Sequence, residues 1–507
     1  MNAKNISIAI IGAGASGTIL ASQLVEGVSN NSDSNITVFL IEKGTDFGPG
    51  LAYSTPLSSH ILNMRADTLG IEKGNPLHFV KWLKDQDKGL SGDEAFGSYD
   101  INYPPRKLYG KYLKFILELT IEKTNSSLNS INLISGETVD IDYSGNSFQI
   151  RMADGGIISA DNVVLAPGNF PSSFLYELKG VKGYIPYPWP VSEISGLIPR
   201  DNPVCILGAG LSAIDTFFTL IENNHRGKIT FISRRGFLPK VQGLPFEYMP
   251  KFLSIDNISN AVSKCDGGYL AFDLIKDLFF KEMEFAEGKK IDWLKVFNPY
   301  GSVPEIFEKD IGRAEAGVIP YQGALTASGP ITGYIWNRMS IADRMHFDSE
   351  YKTLWTVYRH PMPLVNARKI MKVIKSGQLD IESGCMCVRT CGKEGFEIDI
   401  STRFGIPYTM KTPFLINATG QGLDVARFES ILLRRLVDKG YIESHPSGGI
   451  NVDFNTSEIY GNNGKVIPGF YALGEITRGV HFFTNGIVPN MAISERIAEH
   501  ILRKDRA

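Results

Sequence analysis

The sequence predicts an α/β fold built around two strand–helix–strand units, and three observations support this prediction. Two apolar, strand-like runs, Ser7–Ile11 and Pro203–Leu207, are each followed by a glycine-rich turn. Apolar residues at helical spacing come after each turn. A second buried strand then follows, at Ile36–Ile41 and at Lys228–Ile232. Strands that alternate with helices in this order indicate parallel sheets.

The composition is typical of a folded globular protein. Of the 507 residues, 43% are hydrophobic and 21% are charged, with a formal net charge of −2, and this length corresponds to roughly two to four domains. The mixed charges give no support for nucleic-acid binding, and five cysteines do not suggest a disulfide framework. No apolar run reaches the roughly 18 residues that span a bilayer. We therefore expect a cytoplasmic protein without a membrane partner, and the sequence leaves the oligomeric state open.

The first glycine-rich turn has the spacing of a dinucleotide-binding fingerprint. Its first glycine permits the tight turn, the second lets the backbone approach a pyrophosphate, and the third lets the helix pack against the strand. The helix N-terminus offers N–H groups to the phosphates. An acidic residue at the end of the second strand can accept hydrogen bonds from ribose hydroxyls and would repel a 2′-phosphate, so this unit suits FAD or NAD. The expected contacts are Gly12, Gly14, Ala15, Ser16, Gly17, Glu42 and Lys43.

The second turn has different chemistry at its ribose end. It lacks the third glycine, although small Ala213 still allows close packing. The strand that follows ends in Ser233-Arg234-Arg235, and two guanidinium groups can bind a 2′-phosphate bidentately. This favours NADPH over NADH, and a solvated basic corner on an NADH site is the alternative. The expected contacts are Gly208, Gly210, Ser212, Ala213, Arg234 and Arg235.

Shorter motifs accompany the two turns in a fixed order over nearly the whole chain. They are Gly50–Tyr53, His60–Met64, Tyr103–Arg106, Tyr109-Gly110, Leu165–Gly168, Ser233–Gly236, Asn417–Gly420 and Ala472–Glu475. With these motifs the chain resembles bacterial FAD/NAD(P)-binding proteins that include FAD-dependent urate hydroxylases, which are distantly similar to flavin-containing and N-hydroxylating monooxygenases. It departs from the flavin-containing and Baeyer–Villiger enzymes at Gly180–Pro190, where Trp189-Pro190 is present and their characteristic histidine is not.

The resemblance implies a flavoprotein with two dinucleotide-binding domains. A Rossmann-like FAD domain is expected from residues 1–200 and 401–507, with a Rossmann-like NADPH domain inserted at 201–400. Aromatic-rich helical segments at about 239–358 predict a helical insertion within the NADPH domain. FAD is then a resident cofactor, and NADPH a diffusible hydride donor.

The resemblance also implies roles for individual residues. Asn63 and Met64 are expected beside the flavin ring, where the Asn63 amide is the candidate catalytic group, and a turn-forming asparagine is the alternative. The Val139 backbone is expected to contact the adenine. Further cofactor contacts are expected where the chain crosses between domains and near the ribityl chain and pyrophosphate, at Ala166, Pro167, Gly168, Gly420, Gly474 and Glu475.

These expectations lead to an FAD-dependent NADPH oxidoreductase. The preferred hypothesis is a single-component monooxygenase, in which reduced FAD traps O₂ as a peroxyflavin that hydroxylates a small organic substrate. An NAD(P)H-dependent reductase or oxidase without oxygen insertion, and a slow-turnover flavin-bound regulatory protein, are the alternatives. No CxxC follows the first turn, which argues against a dithiol relay, and the spacing of Cys385, Cys387 and Cys391 favours a structural strand over a metal site.

Overall fold

The computed structural model describes residues 4–29, 34–86, 92–94, 97–125, 128–144, 147–392, 395–402 and 405–504. The chain forms two compact units. Unit 1 is built from both ends of the chain, up to Phe170 and from Gly422, and unit 2 is Pro171–Gln421. None of the described helices combines the length and the apolar character needed to cross a bilayer.

The N-terminal part of unit 1 begins with the predicted strand–helix–strand unit. Its strands and helices are β1 Lys4–Ile11, α1 Ala15–Ser29, β2 Ser34–Glu42, α2 Gly50–Tyr53, α3 His78–Asp85, α4 Arg106–Thr124, β3 Ser130–Ser135, β4 Thr138–Ser144, β5 Ser147–Met152, β6 Ile157–Ala160 and β7 Asn162–Leu165. Strands β3 and β4 are separated at Gly136-Glu137, because β3 pairs with β2 whereas β4 pairs with β5.

Unit 2 contains the second strand–helix–strand unit and a long helical segment. Its elements are β8 Tyr184–Ile185, α5 Val191–Leu197, β9 Val204–Leu207, α6 Leu211–Glu222, β10 Ile229–Ser233, α7 Ile255–Ser263, α8 Phe272–Glu287, α9 Trp293–Phe297, α10 Val303–Glu315, α11 Pro320–Ala327, α12 Gly329–Asn337, α13 Ile341–Glu350, α14 Lys352–Arg359, α15 Leu364–Lys375, β11 Leu379–Ser383, β12 Cys385–Thr390, β13 Phe396–Ser401, β14 Pro407–Thr412 and β15 Phe414–Asn417. Helix α13 begins separately from α12, since Ser340 caps α13 by accepting from the Asp343 N–H at 3.1 Å.

The C-terminal segment completes unit 1 with α16 Ile431–Asp438, β16 Glu458–Tyr460, β17 Val466–Ala472, α17 Arg478–His481 and α18 Ile487–Lys504. The main sheet of unit 1 has the order β16-β17-β7-β1-β2-β3, with β16 antiparallel to β17 and the other neighbours parallel. A small antiparallel sheet, β4-β5-β6, accompanies it. Buried residues of β1 and β2 pack with α1 and α18 in one apolar core.

The main sheet of unit 2 is fully parallel, with the order β11-β10-β9-β15-β8, and β12-β13-β14 form a second, antiparallel sheet. These layers confirm the predicted α/β class with two Rossmann-type sheets. The boundaries of the compact units differ from those predicted at residues 200/201 and 400/401. Residues 171–200 and 401–421 both belong to unit 2. They are joined because β8 pairs with β15, through Tyr184 with Leu415 and Ile185 with Ile416.

Candidate functional site

The first glycine turn, between β1 and α1, is held by close backbone packing. Gly12 has φ of +110°, and a methyl group on it would lie 2.0 Å from the Ala166 carbonyl oxygen. A methyl group on Gly17 would lie 2.0 Å from the Gly12 carbonyl oxygen. Only glycine therefore allows β1, β7 and α1 to approach one another in this way.

A second segment packs against the same turn. A methyl group on Gly14 would meet the Gly50 Cα at 3.2 Å, and the Gly48 N–H donates to the Ala13 carbonyl at 2.8 Å. The sequence motif Gly50–Tyr53, which forms α2, thus contacts the turn through backbone atoms. The sequence identified both segments but gave no signal that they touch.

Glu42 links the end of β2 to the turn. Its carboxylate accepts from the Ala13 N–H at 2.9 Å and from the Lys43 N–H at 3.0 Å. A carboxylate has about four acceptor sites, so both oxygens can still accept from ribose hydroxyls. The Lys43 ammonium points elsewhere and pairs with Glu137 at 2.9 Å.

The carboxyl ends of three parallel strands meet beside this turn. The Ala166 N–H donates to the Ile11 carbonyl and the Leu473 N–H to the Leu165 carbonyl, each at 2.8 Å. The residues that follow β7 and β17 therefore lie at the same sheet edge as Gly12. The predicted contacts brought together there are Ala166, Pro167, Gly168, Gly474 and Glu475.

Asn490 near the start of α18 and Thr484 just before the helix are two residues that sequence reasoning missed. Buried Asn490 donates to Ser16 Oγ at 3.3 Å and to the Thr484 carbonyl at 2.9 Å. The Thr484 hydroxyl donates to the Glu475 carboxylate at 2.9 Å. This chain of hydrogen bonds connects Glu475 to the first turn of α1, and no local pattern could reveal it, because Ser16 and Asn490 are 474 positions apart.

The residue before Asn63 and Met64 belongs to an apolar cluster that also includes residues near the starts of α1 and α18. Leu62 is buried in the same apolar cluster as Ile19 and Ile487, and its N–H donates to the Pro104 carbonyl at 2.9 Å. Asn63 is half-buried and Met64 is 38% exposed, so both side chains can reach a ligand.

Val139 lies in β4, just beyond the carboxyl end of β3. The last residue of β3, Ser135, pairs with Glu42. Val139 therefore comes four residues after the residue that pairs with Glu42. The Val139 carbonyl accepts from Arg435 Nη1 at 3.4 Å.

The second turn, between β9 and α6, repeats the construction of the first. Gly208 has φ of +111°, and a methyl group on it would lie 2.5 Å from the Ala418 carbonyl oxygen. Ala213 is fully buried in the position of the third glycine. A methyl group on Gly210 or Gly420 would meet no atom within 4 Å, so open space adjoins these residues. Ser212 lies in the first turn of α6.

Two cations follow β10. Arg234 is exposed, and its Nη2 donates to Thr353 Oγ1 at 3.0 Å. Arg235 is half-buried and makes no hydrogen bond or ion pair with the part of the chain that the structure describes. The two arginines lie in a turn after β10, which is closed by the Gly236 N–H donating to Ser233 Oγ at 2.9 Å.

Two buried histidines of unit 1 contact hydroxyl groups. His481 Nε2 lies 3.1 Å from Ser457 Oγ, and burial lowers the pKa of His481 to about 3. His60 is also buried, with Nδ1 at 3.1 Å from Thr55 Oγ1. A ring that stays neutral at pH 7 cannot act there as a general acid. Among the described residues, no three acidic, histidine or cysteine side chains are placed to hold a metal.

Residues 9–170 match a family of FAD-NAD(P)-binding proteins. The match ends at Phe170, the last residue of the N-terminal part of unit 1. No curated protein sequence matches the chain.

Solved structures resemble the whole chain. The reduced ornithine hydroxylase of Pseudomonas aeruginosa has a TM-score of 0.58 at 15% identity, covering 98% of each chain. L-lysine 6-monooxygenase of Pseudomonas syringae has a TM-score of 0.60 at 14% identity, covering 98% of this chain and 99% of that one. A cadaverine monooxygenase of Erwinia amylovora, bound to FAD, has a TM-score of 0.56 at 14% identity, covering 98% and 94%.

At such identities the likeness establishes the fold, that of flavoproteins with two dinucleotide-binding domains. The prediction of FAD and a nicotinamide dinucleotide as cofactors agrees with the description of the matching family. An FAD-dependent NAD(P)H oxidoreductase is consistent with both comparisons.

Proposed function

We propose that this protein is a single-component, FAD-dependent monooxygenase that uses NADPH to hydroxylate a small organic substrate. One observation carries the proposal: the chain has two glycine turns of the same construction with opposite charge at their ribose ends. Glu42 stands at the first, and Arg234 and Arg235 stand at the second. A carboxylate excludes a 2′-phosphate and guanidinium groups favour it, so the two units select different dinucleotides.

The residues of the first turn fit FAD. A methyl group on Gly12 or Gly17 would clash with a backbone carbonyl oxygen and prevent the close packing of the turn. The N–H groups at the start of α1 would hold the pyrophosphate, and Glu42 would hold the adenosine ribose. Ala166, Pro167, Gly168, Gly474 and Glu475 would contact the rest of the cofactor from the same sheet edge, with the Val139 backbone at the adenine.

The residues of the second turn fit NADPH. Open space beside Gly210 leaves room for the pyrophosphate at the start of α6. The guanidinium groups of Arg234 and Arg235 would bind the 2′-phosphate. When bound, NADPH supplies a hydride and FAD accepts it and activates O₂.

Asn63 is the proposed catalytic residue. Its half-buried side chain follows Leu62, which is buried in the same apolar cluster as Ile487 at the start of α18. The Asn63 amide would donate a hydrogen bond toward the flavin and orient it. Met64 would supply apolar contact beside it and exclude water from the reacting atoms.

Primary amines are the substrate class to test first. The solved structures with the same fold are named for ornithine, lysine and cadaverine as substrates. Purines form the second class, because the sequence resembles proteins that include urate hydroxylases.

The test is a screen of NADPH oxidation by the FAD-loaded protein with amines, amino acids and purines. For a true substrate we expect faster NADPH oxidation, oxygen from labelled O₂ in the product, and little hydrogen peroxide. Stoichiometric peroxide with every compound would establish an oxidase instead. A protein that binds neither FAD nor NADPH would overturn the proposal entirely.

A further inference from the structure

The hydrogen bond between Arg234 and Thr353 joins the nucleotide-binding turn to the helical insertion. Arg234 follows β10, whereas Thr353 is in the first turn of α14, 119 positions later in the chain. Arg234 Nη2 donates to Thr353 Oγ1 at 3.0 Å. The Thr353 hydroxyl proton is therefore directed away from this bond and can donate to an anion.

The two segments are fixed to each other beyond this one contact. The Lys240 N–H donates to the Val357 carbonyl at 3.0 Å, near the end of α14. The Met362 N–H then donates to the Lys240 carbonyl at 2.7 Å, and the Gln242 N–H to the Met362 carbonyl at 2.9 Å. The same two segments line one small pocket, to which the turn contributes Gly236 and Leu238 and α14 contributes Leu354 and Val357. Helix α14 is thus attached along its length to the chain that follows the arginines.

We propose that Thr353 is a specificity-determining residue for the 2′-phosphate of NADPH, and that the helical insertion is therefore part of nucleotide recognition. Thr353 acts by holding the Arg234 guanidinium in one orientation. An exposed arginine otherwise samples many rotamers, and restricting them before binding strengthens the contact with phosphate. Arg235, which has no described partner, completes the cationic corner.

This inference rests on the proposed use of NADPH, and its test separates the two. Binding of 2′,5′-ADP and of 5′-ADP to the full-length, FAD-loaded protein is measured by calorimetry. The unaltered protein should prefer 2′,5′-ADP, and Arg234→Ala should lose most of that preference. Thr353→Val, which keeps the shape of the side chain and removes the hydroxyl, should weaken 2′,5′-ADP binding about three- to tenfold and leave 5′-ADP binding unchanged.

Two further variants complete the experiment. Thr353→Ser restores a hydroxyl and should rescue 2′,5′-ADP affinity. Thr356→Val is the matched control, because the Thr356 hydroxyl is on the same helix and donates to the Lys352 carbonyl at 2.8 Å; we expect it to bind both ligands as the unaltered protein does. A Thr353→Val protein that loses affinity for both ligands equally, or for neither, would overturn the role of Thr353. An unaltered protein without preference for 2′,5′-ADP would overturn the NADPH assignment itself.

Discussion

The two strand–helix–strand units differ most at the end of their second strand, where the first unit has Glu42 and the second has Arg234 and Arg235. In unit 1 the Glu42 carboxylate folds back onto its own turn and accepts from the Ala13 N–H. In unit 2 the Arg234 guanidinium is exposed and is held by Thr353 of the insertion. The charged residue of the first unit thus contacts its own glycine turn, whereas that of the second unit contacts a helix of the insertion.

The difference suits two kinds of ligand. A turn that is braced by α2, Glu42 and the start of α18 is suited to a resident cofactor. A turn with exposed cations and open space beside Gly210 is suited to a ligand that enters and leaves in each cycle. Variants that affect one turn and not the other can test this contrast.

The largest effects are expected from the tight glycines. In Gly12→Ala the new methyl group lies 2.0 Å from the Ala166 oxygen at φ of +110°, so we expect loss of bound FAD and a fall in stability of at least about 3 kcal/mol. Gly208→Ala should damage unit 2 in the same way, with loss of NADPH binding and retention of FAD. Flavin absorbance, nucleotide titration and chemical denaturation measure these effects.

Gly420→Ala separates the strain of the backbone from the steric clash. Gly420 has the same φ of +111° as Gly208, but a methyl group on it meets no atom within 4 Å. We expect it to lower stability by only about 1–2 kcal/mol. Equal losses for Gly208→Ala and Gly420→Ala would show that close packing is not what requires glycine in the second turn.

The next effect concerns a buried carboxylate in unit 2 alone. Glu282 is fully buried, and it accepts from the N–H groups of Lys251, Phe252 and Leu253 and from the Tyr248 hydroxyl. Glu282→Gln places an amide donor against these donors and should cost about 3 kcal/mol in urea denaturation.

FAD content should not change in Glu282→Gln, since this carboxylate belongs to unit 2. Asp273→Asn is the matched control on the same helix, because the Asp273 side chain is 84% exposed and pairs with Lys276 at 2.6 Å. It should leave the denaturation midpoint almost unchanged. Flavin loss in Glu282→Gln would contradict the assignment of the FAD site to unit 1.

A smaller effect is expected at the ribose end of the second turn. Replacing both Arg234 and Arg235 with alanine should raise the KM for NADPH about 10- to 100-fold and change the KM for NADH little. Arg226→Ala is the control, since Arg226 is in the same unit and pairs bidentately with exposed Asp201. If the KM values for NADPH and NADH rise equally, the two arginines do not read the 2′-phosphate.

The smallest effect is a pH dependence in unit 1. Burial lowers the pKa of His481 from 6.5 to about 3, so the unfolded chain binds a proton between these values and the folded protein does not. Stability should therefore decrease as the pH falls below about 6.5, at up to about 1.4 kcal/mol per pH unit for this residue. His481→Gln, which can still hydrogen-bond Ser457, should show a shallower decrease between about pH 7 and pH 5 in urea denaturation. Identical slopes would exclude His481 as a source of the dependence.

The prediction of the fold succeeded where the signal was local. Strand β1, the glycine turn and α1 follow one another within 26 positions, from Lys4 to Ser29, so apolar periodicity and glycine spacing specify them directly. The domain boundaries depended on the pairing of β8 with β15, which joins Tyr184–Ile185 to Leu415–Ile416. A two-residue strand has too few residues to display a period, and its partner is distant in sequence.

The sequence by itself determined the two glycine turns, their order, and the opposite charges of Glu42 and Arg234, because these features depend on the backbone and on neighbours along the chain. Only the tertiary structure decided that Asn490 connects to Ser16, that Gly50 packs on Gly14, and that Thr353 holds Arg234. The physical reason is that periodicity reports which face of an element is buried, whereas the choice of partner is made when the layers pack.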